Sequence, residues 1–146
     1  MAHLSHVVEI HRPVDDVFAV LGNPARDAEW AGPVVAVELL TPEPAGVGTR
    51  FRQTSRTLGV RFPMVLEVVA HQPNRSVALE SRGGVVAYRG ERHFEATANG
   101  TRVTFIGDVR LPLALRALEP LASRFSGRQV DRDLFAVKKR LEAAPR

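Results

Sequence analysis

The 146-residue sequence contains no cysteine, which excludes a disulfide framework, a thiolate metal site and a cysteine nucleophile. The simplest interpretation of a chain without cysteine is a cytoplasmic protein. The sequence also has no apolar run long enough to cross a bilayer, because Arg116 interrupts its most apolar stretch, LPLALRALEPLA. We therefore expect no stable insertion into a membrane. The first ten residues include Glu9 and no long apolar segment, which predicts that no signal peptide is present.

Lysine is scarce, because Lys138 and Lys139 are the only two, and the net charge of +4 comes almost entirely from arginine. The arginines are interleaved with acidic residues, a pattern that argues against a nucleic-acid partner. The five histidines follow no usual metal-ligand spacing, so we expect no metal site and no cofactor. The sequence has no nucleophile elbow, no phosphate-binding loop and no dinucleotide fingerprint, and its motifs therefore assign no enzyme class.

Hydrophobic periodicity predicts one strand, two short helices, six further strands and one long helix. Short turn sequences between the strands, of which Asn99-Gly100 is the strongest, indicate antiparallel hairpins. The predicted strands are Ser5–His11, Val34–Leu40, Thr49–Arg56, Val60–His71, Ser76–Arg82, Val85–Ala96 and Thr101–Arg110. The predicted helices are Pro13–Leu21, a short segment from Asn23 to Trp30, and Glu119–Ala144.

The long C-terminal helix is rich in good helix formers and carries two apolar faces. One face lies in its first half and includes Phe125, and the other lies in its second half and includes Leu134. The two faces are rotated by about a third of a turn, which suits a helix lying diagonally across a curved sheet. We therefore predict an α+β fold in which a curved, antiparallel, seven-stranded sheet wraps around this helix. Residues 1–146 are expected to form a single domain.

Several short motifs occur in an order that is typical of one superfamily. They are the opening VVEIHRPVDDVFAVLGNPARDAEW, Gly46-Val47-Gly48-Thr49, the hairpin Asn99-Gly100-Thr101-Arg102-Val103-Thr104, and the helix ending Leu134…Lys138-Lys139…Leu141-Glu142. Over nearly the whole chain these motifs resemble the SRPBCC superfamily, the START-like, polyketide cyclase/dehydrase group with the helix-grip fold. The resemblance implies a hydrophobic cavity between the long helix and the sheet, which binds lipids, sterols, polyketides or other apolar molecules. Some members cyclise or dehydrate aromatic polyketides, and the fold alone does not decide between binding and catalysis.

The alternation along the strands supplies candidates for the wall of such a cavity. The predicted ligand-binding residues are Trp30, Phe51, Gln53, Ser55, Phe62, Met64, Leu66, Tyr88, Arg92, Phe94, Phe105 and Phe125. The apolar members would serve equally well as plain core. Arg92 is more informative, because a charged side chain on an apolar strand face is costly to bury without a partner. It either reaches solvent, through an edge position, a bulge near Gly90 or snorkelling, or it contacts a ligand.

Three functions stay open at this point. The first is binding, with transport or sequestration, of a small hydrophobic or amphipathic molecule. The second is a polyketide cyclase or dehydratase that orients its substrate, with Tyr88 or Arg92 polarising a carbonyl group. Against the enzyme, the sequence offers no inward acid or histidine for an acid–base pair. The third is a protein-interaction module with a filled core.

Overall fold

The computed structural model describes residues 2–42, 46–57, 59–83 and 86–143, with the backbone alone for residues 2, 57 and 119–127. The predicted fold class is confirmed. In chain order the elements are β1 Ala2–Ile10, α1 Val14–Leu21, a first 3₁₀ helix Pro24–Glu29, β2 Val34–Leu39, β3 Arg50–Thr57, β4 Val60–Gln72, β5 Ser76–Ser81, β6 Ala87–Thr97, β7 Gly100–Arg110, a second 3₁₀ helix Leu113–Leu118, and α2 Glu119–Ala143.

The seven strands form one curved sheet in the order β1-β7-β6-β5-β4-β3-β2, and every neighbouring pair is antiparallel. The predicted hairpin at Asn99-Gly100 is confirmed, since β6 and β7 pair without a break from Ala87 opposite Arg110 to Thr97 opposite Gly100. The hairpin predicted at Gly83-Gly84 lies partly outside the described residues. The first strand pairs with the last, so β1 and β2 form the two edges of the sheet.

The segment between β1 and β2 contains the two short helices that the sequence predicts. Helix α1 buries Val17, Val20 and Leu21. The following segment starts at Asn23, whose side chain accepts a hydrogen bond from the Ala25 backbone nitrogen at 3.1 Å. It forms a 3₁₀ helix of six residues, because one capped turn is too short to establish an α-helix against the loss of backbone freedom.

The second half of α2 packs on the inner, concave face of the sheet. The predicted core position of Leu134 is confirmed, because only 3% of its surface is exposed. This first core cluster consists of Ile10, Val17, Val20, Leu21, Phe94, Val103, Leu134 and Val137. The side chains of the first half of α2, including that of Phe125, lie outside the described residues.

Polar contacts fix the C-terminal turn of α2 to β1. The Arg12 guanidinium donates from Nε to the Leu141 carbonyl and from Nη2 to the Glu142 carbonyl, both at 2.8 Å. The Lys138 ammonium donates to the Glu9 carbonyl at 2.6 Å. Carbonyls at a helix C-terminus lack partners within the helix, so the Arg12 contacts stabilise this end while holding it against the sheet.

A second core cluster lies on the inner face of β3, β4 and β5. Its buried members are Phe51, Leu66, Val68, Val77 and Leu79. Phe18 of α1 packs against both clusters and so connects them. Among the described side chains, those of α2 contribute to the first cluster, and the second cluster is contacted from the side of α1.

Candidate functional site

A buried ion pair joins the middle of β6 to the first 3₁₀ helix. Arg92 is 8% exposed and points inward. Its Nη1 and Nη2 atoms donate to the Asp27 carboxylate at 2.9 Å and 2.6 Å, and Nη1 also donates to the Leu21 carbonyl at 2.9 Å. The fork-shaped guanidinium matches the two carboxylate oxygens, which makes this pair both strong and directional. The structure therefore does not place Arg92 at a sheet edge, in a bulge or in solvent.

Asp27 is the inward acid that the sequence analysis did not identify. It lies in the first 3₁₀ helix and is 3% exposed. The expectation that no inward acid exists is therefore wrong. A 3₁₀ segment of six residues has no 3.6-residue periodicity to show which side chains point inward. The sequence feature that could have indicated an inward acid was Arg92 itself, because a buried cation is stable only beside a buried acidic partner.

Aromatic rings surround the guanidinium of Arg92. Its Cζ atom is 5.7 Å from the centroid of the Trp30 ring and 5.6 Å from that of Phe105. The two rings meet edge to face, with centroids 5.7 Å apart. Burial lowers the pKa of Arg92, but the charge and hydrogen bonds of Asp27 raise it further, so the pKa stands above its ordinary value. The guanidinium is charged, and the pair with Asp27 is neutral as a unit.

Tyr88 lies on the same face of β6 as Arg92, above two glycines. Gly90 and Gly107 face each other across β6 and β7. A methyl group added at Gly90 would overlap the Tyr88 hydroxyl, and one added at Gly107 would lie 3.5 Å from Cε2 of the Tyr88 ring. The missing side chain at Gly90 is therefore what allows the Tyr88 ring to lie along the sheet.

Tyr88 is half-buried, and its hydroxyl makes no hydrogen bond within the described residues. Burial raises its pKa above the ordinary value, although the nearby Arg92 charge lowers it. Its hydroxyl can therefore donate and accept hydrogen bonds with a group that reaches the inner face of the sheet.

The other predicted site residues divide by position. Phe51 and Leu66 are buried in the second core cluster, and Phe94 is buried in the first. Trp30 and Phe105 pack against the first cluster around Arg92. These five side chains act as core in the described structure, and Trp30 and Phe105 also line the polar centre.

The predicted residues of β3 and β4 lie farther from the ion pair. Gln53, Ser55 and Met64 are partly exposed, and Gln53 Nε2 reaches Ser55 Oγ at 3.5 Å. Phe62 is 42% exposed and belongs to neither core cluster. The structure therefore does not bring Phe62 to the enclosed part of the face.

Two buried polar atoms lack partners among the described residues, Nε2 of His6 and Nε1 of Trp30. His6 pairs with Phe105 across β1 and β7, and its Nδ1 atom lies 2.8 Å from Oδ1 of Asp131 on α2. A carboxylate only accepts, so in the neutral ring Nδ1 carries the proton and Nε2 has a free lone pair. The sequence analysis did not identify His6 as inward, although it alternates in phase with Val8.

Other types of site have little support in the described residues. No group of three or more His, Asp or Glu side chains is placed there to hold a metal ion. No helix in that part of the chain is long and apolar enough to cross a bilayer. An open depression of about 440 Å³ lies between residues 11–15 and the β6–β7 hairpin. None of the predicted ligand-binding residues lines this depression.

Comparison with known proteins identifies the family. The sequence model of the family described as "Polyketide cyclase / dehydrase and lipid transport" matches residues 1–142. No curated protein matches the sequence. The chain therefore belongs to the polyketide cyclase/dehydrase and lipid transport family.

Solved structures agree with this fold. TTHA0849 from Thermus thermophilus is 20% identical, with a TM-score of 0.82 over 99% of both chains. A START superfamily protein from Mycobacterium smegmatis is 14% identical, with a TM-score of 0.80 over 96% of this chain and 97% of that one. The di-domain ARO/CYC protein BexL is 20% identical, with a TM-score of 0.75 over 99% of this chain and 50% of that one.

Proposed function

We propose that this protein binds a small, mostly apolar and uncharged molecule against the inner face of the sheet, with the Tyr88 hydroxyl as its polar anchor. The observation that carries the proposal is the state of that hydroxyl, which belongs to a half-buried side chain and makes no hydrogen bond within the described residues. The family's description, which includes lipid transport, supports an apolar ligand.

The surroundings of Tyr88 have the composition of a ligand site. Tyr88 and Met64 pack against the buried side chains of the second core cluster, including Leu66 and Leu79. Ligand sites in proteins are commonly apolar walls with a few polar groups that set the orientation. Here the charged groups near Tyr88 are the ion pair of Arg92 and Asp27, together with Asp108.

The charge balance of the site favours a neutral ligand. Asp27 already neutralises Arg92, and the Leu21 carbonyl accepts a further hydrogen bond from the guanidinium. A ligand carboxylate beside Asp27 would face a like charge in a region of low dielectric constant, which is strongly unfavourable. A carbonyl or hydroxyl group would accept or donate one hydrogen bond at Tyr88 without that repulsion.

The proposal is tested by native mass spectrometry of gently purified protein, followed by displacement of a bound hydrophobic dye. A long-chain alcohol should displace the dye at lower concentration than the carboxylate of the same chain length. Tyr88→Phe should weaken binding of the alcohol about five- to tenfold, the value of one hydrogen bond. Absence of both a co-purified molecule and dye binding would contradict the proposal and favour a protein-interaction module with a filled core.

A second candidate function is cyclisation or dehydration of a polyketide-like chain, in accord with the family's description. In an aldol closure, the carbon next to one carbonyl loses a proton and bonds to a second carbonyl carbon, whose oxygen gains a proton before water leaves. In this proposal the Tyr88 O–H donates to such an oxygen, and Nε2 of His6, on the same face of the sheet, takes the proton from carbon. Turnover of a poly-β-carbonyl substrate that is lost in both Tyr88→Phe and His6→Gln variants would support this function, and binding without turnover would support the first.

A further inference from the structure

One end of the sheet collects several chain segments that lie apart in sequence. The antiparallel order puts the turn between β3 and β4, the last residues of β7 and the second 3₁₀ helix at the same end. We call this the β3–β4 end, defined by residues 55–57, 59–62 and 108–118. The links from β2 to β3 and from β4 to β5 lie at the opposite end.

The β3–β4 end exposes large apolar side chains from two separate segments. On the second 3₁₀ helix, Leu113 is 78% exposed, Leu115 46% and Leu118 52%. On the hairpin, Val60 is 52% exposed and Phe62 42%. These side chains project from the start of β4 and from a short helix, and such tips differ from the flat apolar centre of a typical protein–protein interface.

The charge at this end is predominantly positive. Arg56, Arg61, Arg110 and Arg116 are exposed, and no acidic side chain of the described residues pairs with them. Arg56 and Arg61 even lie directly opposite each other on β3 and β4, where like charges repel.

Elsewhere on the sheet the arginines have carboxylate partners, such as Glu67 for Arg50 and Glu38 for Arg52, each at 2.7 Å. The acidic residue of the β3–β4 end, Asp108, is itself in contact with His3 at 2.8 Å. The β3–β4 end thus combines four exposed arginines that have no carboxylate partner among the described residues with five exposed apolar side chains.

We propose that the β3–β4 end docks reversibly on an anionic membrane surface. The apolar tips would enter the interface between headgroups and acyl chains, while the arginine side chains extend beside them to lipid phosphates. Guanidinium groups bind phosphate through paired hydrogen bonds, so unbalanced arginines complement an anionic lipid surface. The proposal concerns the outer surface and does not depend on the ligand proposed for the inner face.

The test is sedimentation of the full chain with vesicles of phosphatidylcholine alone and of phosphatidylcholine mixed with phosphatidylglycerol. The protein should bind the mixed vesicles only, and binding should fall as salt screens the charges. Arg56→Gln and Arg61→Gln should each weaken binding about fivefold. Leu113→Ser should weaken it as well, because it removes apolar surface from the contact.

Matched controls lie at the opposite end of the sheet. Arg75 is exposed in the turn between β4 and β5, and Val47, between β2 and β3, is 68% exposed. Arg75→Gln and Val47→Ser should leave vesicle binding unchanged. Equal binding to neutral vesicles, no binding at low salt, or an equal loss in the controls would each overturn the proposal. Far-ultraviolet circular dichroism is recorded for every variant to check that it is folded.

Discussion

Arg92 on β6 and Asp27 on the first 3₁₀ helix form a buried two-pronged ion pair, although they are 65 residues apart in the chain. The pair fixes the segment between α1 and β2 to the middle of the sheet. Because both groups are removed from water, the loss of one partner costs far more than the pair contributes as a unit.

Replacing Asp27 is therefore expected to destabilise the fold. Asp27→Asn leaves the Arg92 charge buried without a counter-charge and should lower the free energy of unfolding by about 3–5 kcal/mol. Urea denaturation measures this loss. The double variant Asp27→Asn with Arg92→Met, which removes both charges, should recover most of it. A change below about 0.5 kcal/mol in Asp27→Asn would show that the pair is open to water.

The same pair changes what is expected of Arg92→Ala. If Arg92 faced only a ligand, its replacement by alanine would weaken ligand binding without unfolding the protein. With Asp27 left buried and unpaired, we now expect a loss of stability of similar size to that of Asp27→Asn, measured in the same urea titration. Ligand binding by this variant is then interpretable only under conditions where it is shown to be folded.

Tyr88 gives the site a direct spectroscopic test, because it is the single tyrosine of the chain. Burial raises its pKa above the ordinary value of 10.0, so the folded state favours the neutral hydroxyl. Its contribution to stability is complete below the unfolded pKa and is lost as the pH rises through the folded pKa. Tyrosinate absorbance should therefore develop at higher pH in native protein than in urea. Coincident titration curves would place the hydroxyl in solvent.

The pair of facing glycines provides matched substitutions beside Tyr88. Gly90→Ala should push the Tyr88 ring off the sheet, since the new methyl group would overlap its hydroxyl, whereas Gly107→Ala makes only ordinary contact. We expect Gly90→Ala to lower the Tyr88 pKa towards its ordinary value and to weaken ligand binding. Gly107→Ala should leave both nearly unchanged. Absorbance titration and dye displacement distinguish the two variants.

Alternation along the strands predicted which face of the sheet each side chain takes. It placed Tyr88 and Arg92 on one side of β6, and the turn signal at Asn99-Gly100 predicted the pairing of β6 with β7. Alternation could not predict Asp27 as the partner of Arg92, because their contact depends on where the first 3₁₀ helix packs against the sheet. Long-range contacts of this kind depend on packing between elements, which has no period in the sequence.

Phe62 shows a second limit of the same method. It lies in phase with Met64 and Leu66 on β4, as the pattern predicts, yet it is 42% exposed. Alternation gives the face of a residue but not whether another element covers that face. The exposed leucines of the second 3₁₀ helix, which the sequence analysis identified only as the most apolar stretch of the chain, illustrate the same distinction.

Neighbouring residues on α2 test how the helix is oriented on the sheet. Leu134 is 3% exposed within the first core cluster, whereas Phe135 is 57% exposed and has the Lys139 ammonium 4.6 Å from its ring centroid. Leu134→Ala should therefore cost about 2–5 kcal/mol of stability, from lost apolar burial and the cavity that remains. Phe135→Ala should cost less than about 1 kcal/mol despite the larger side chain, because its ring is largely in water and its cation contact is exposed. Urea denaturation of both variants measures the difference, and a loss in Phe135→Ala equal to that in Leu134→Ala would contradict the orientation of α2 on which the inner site depends.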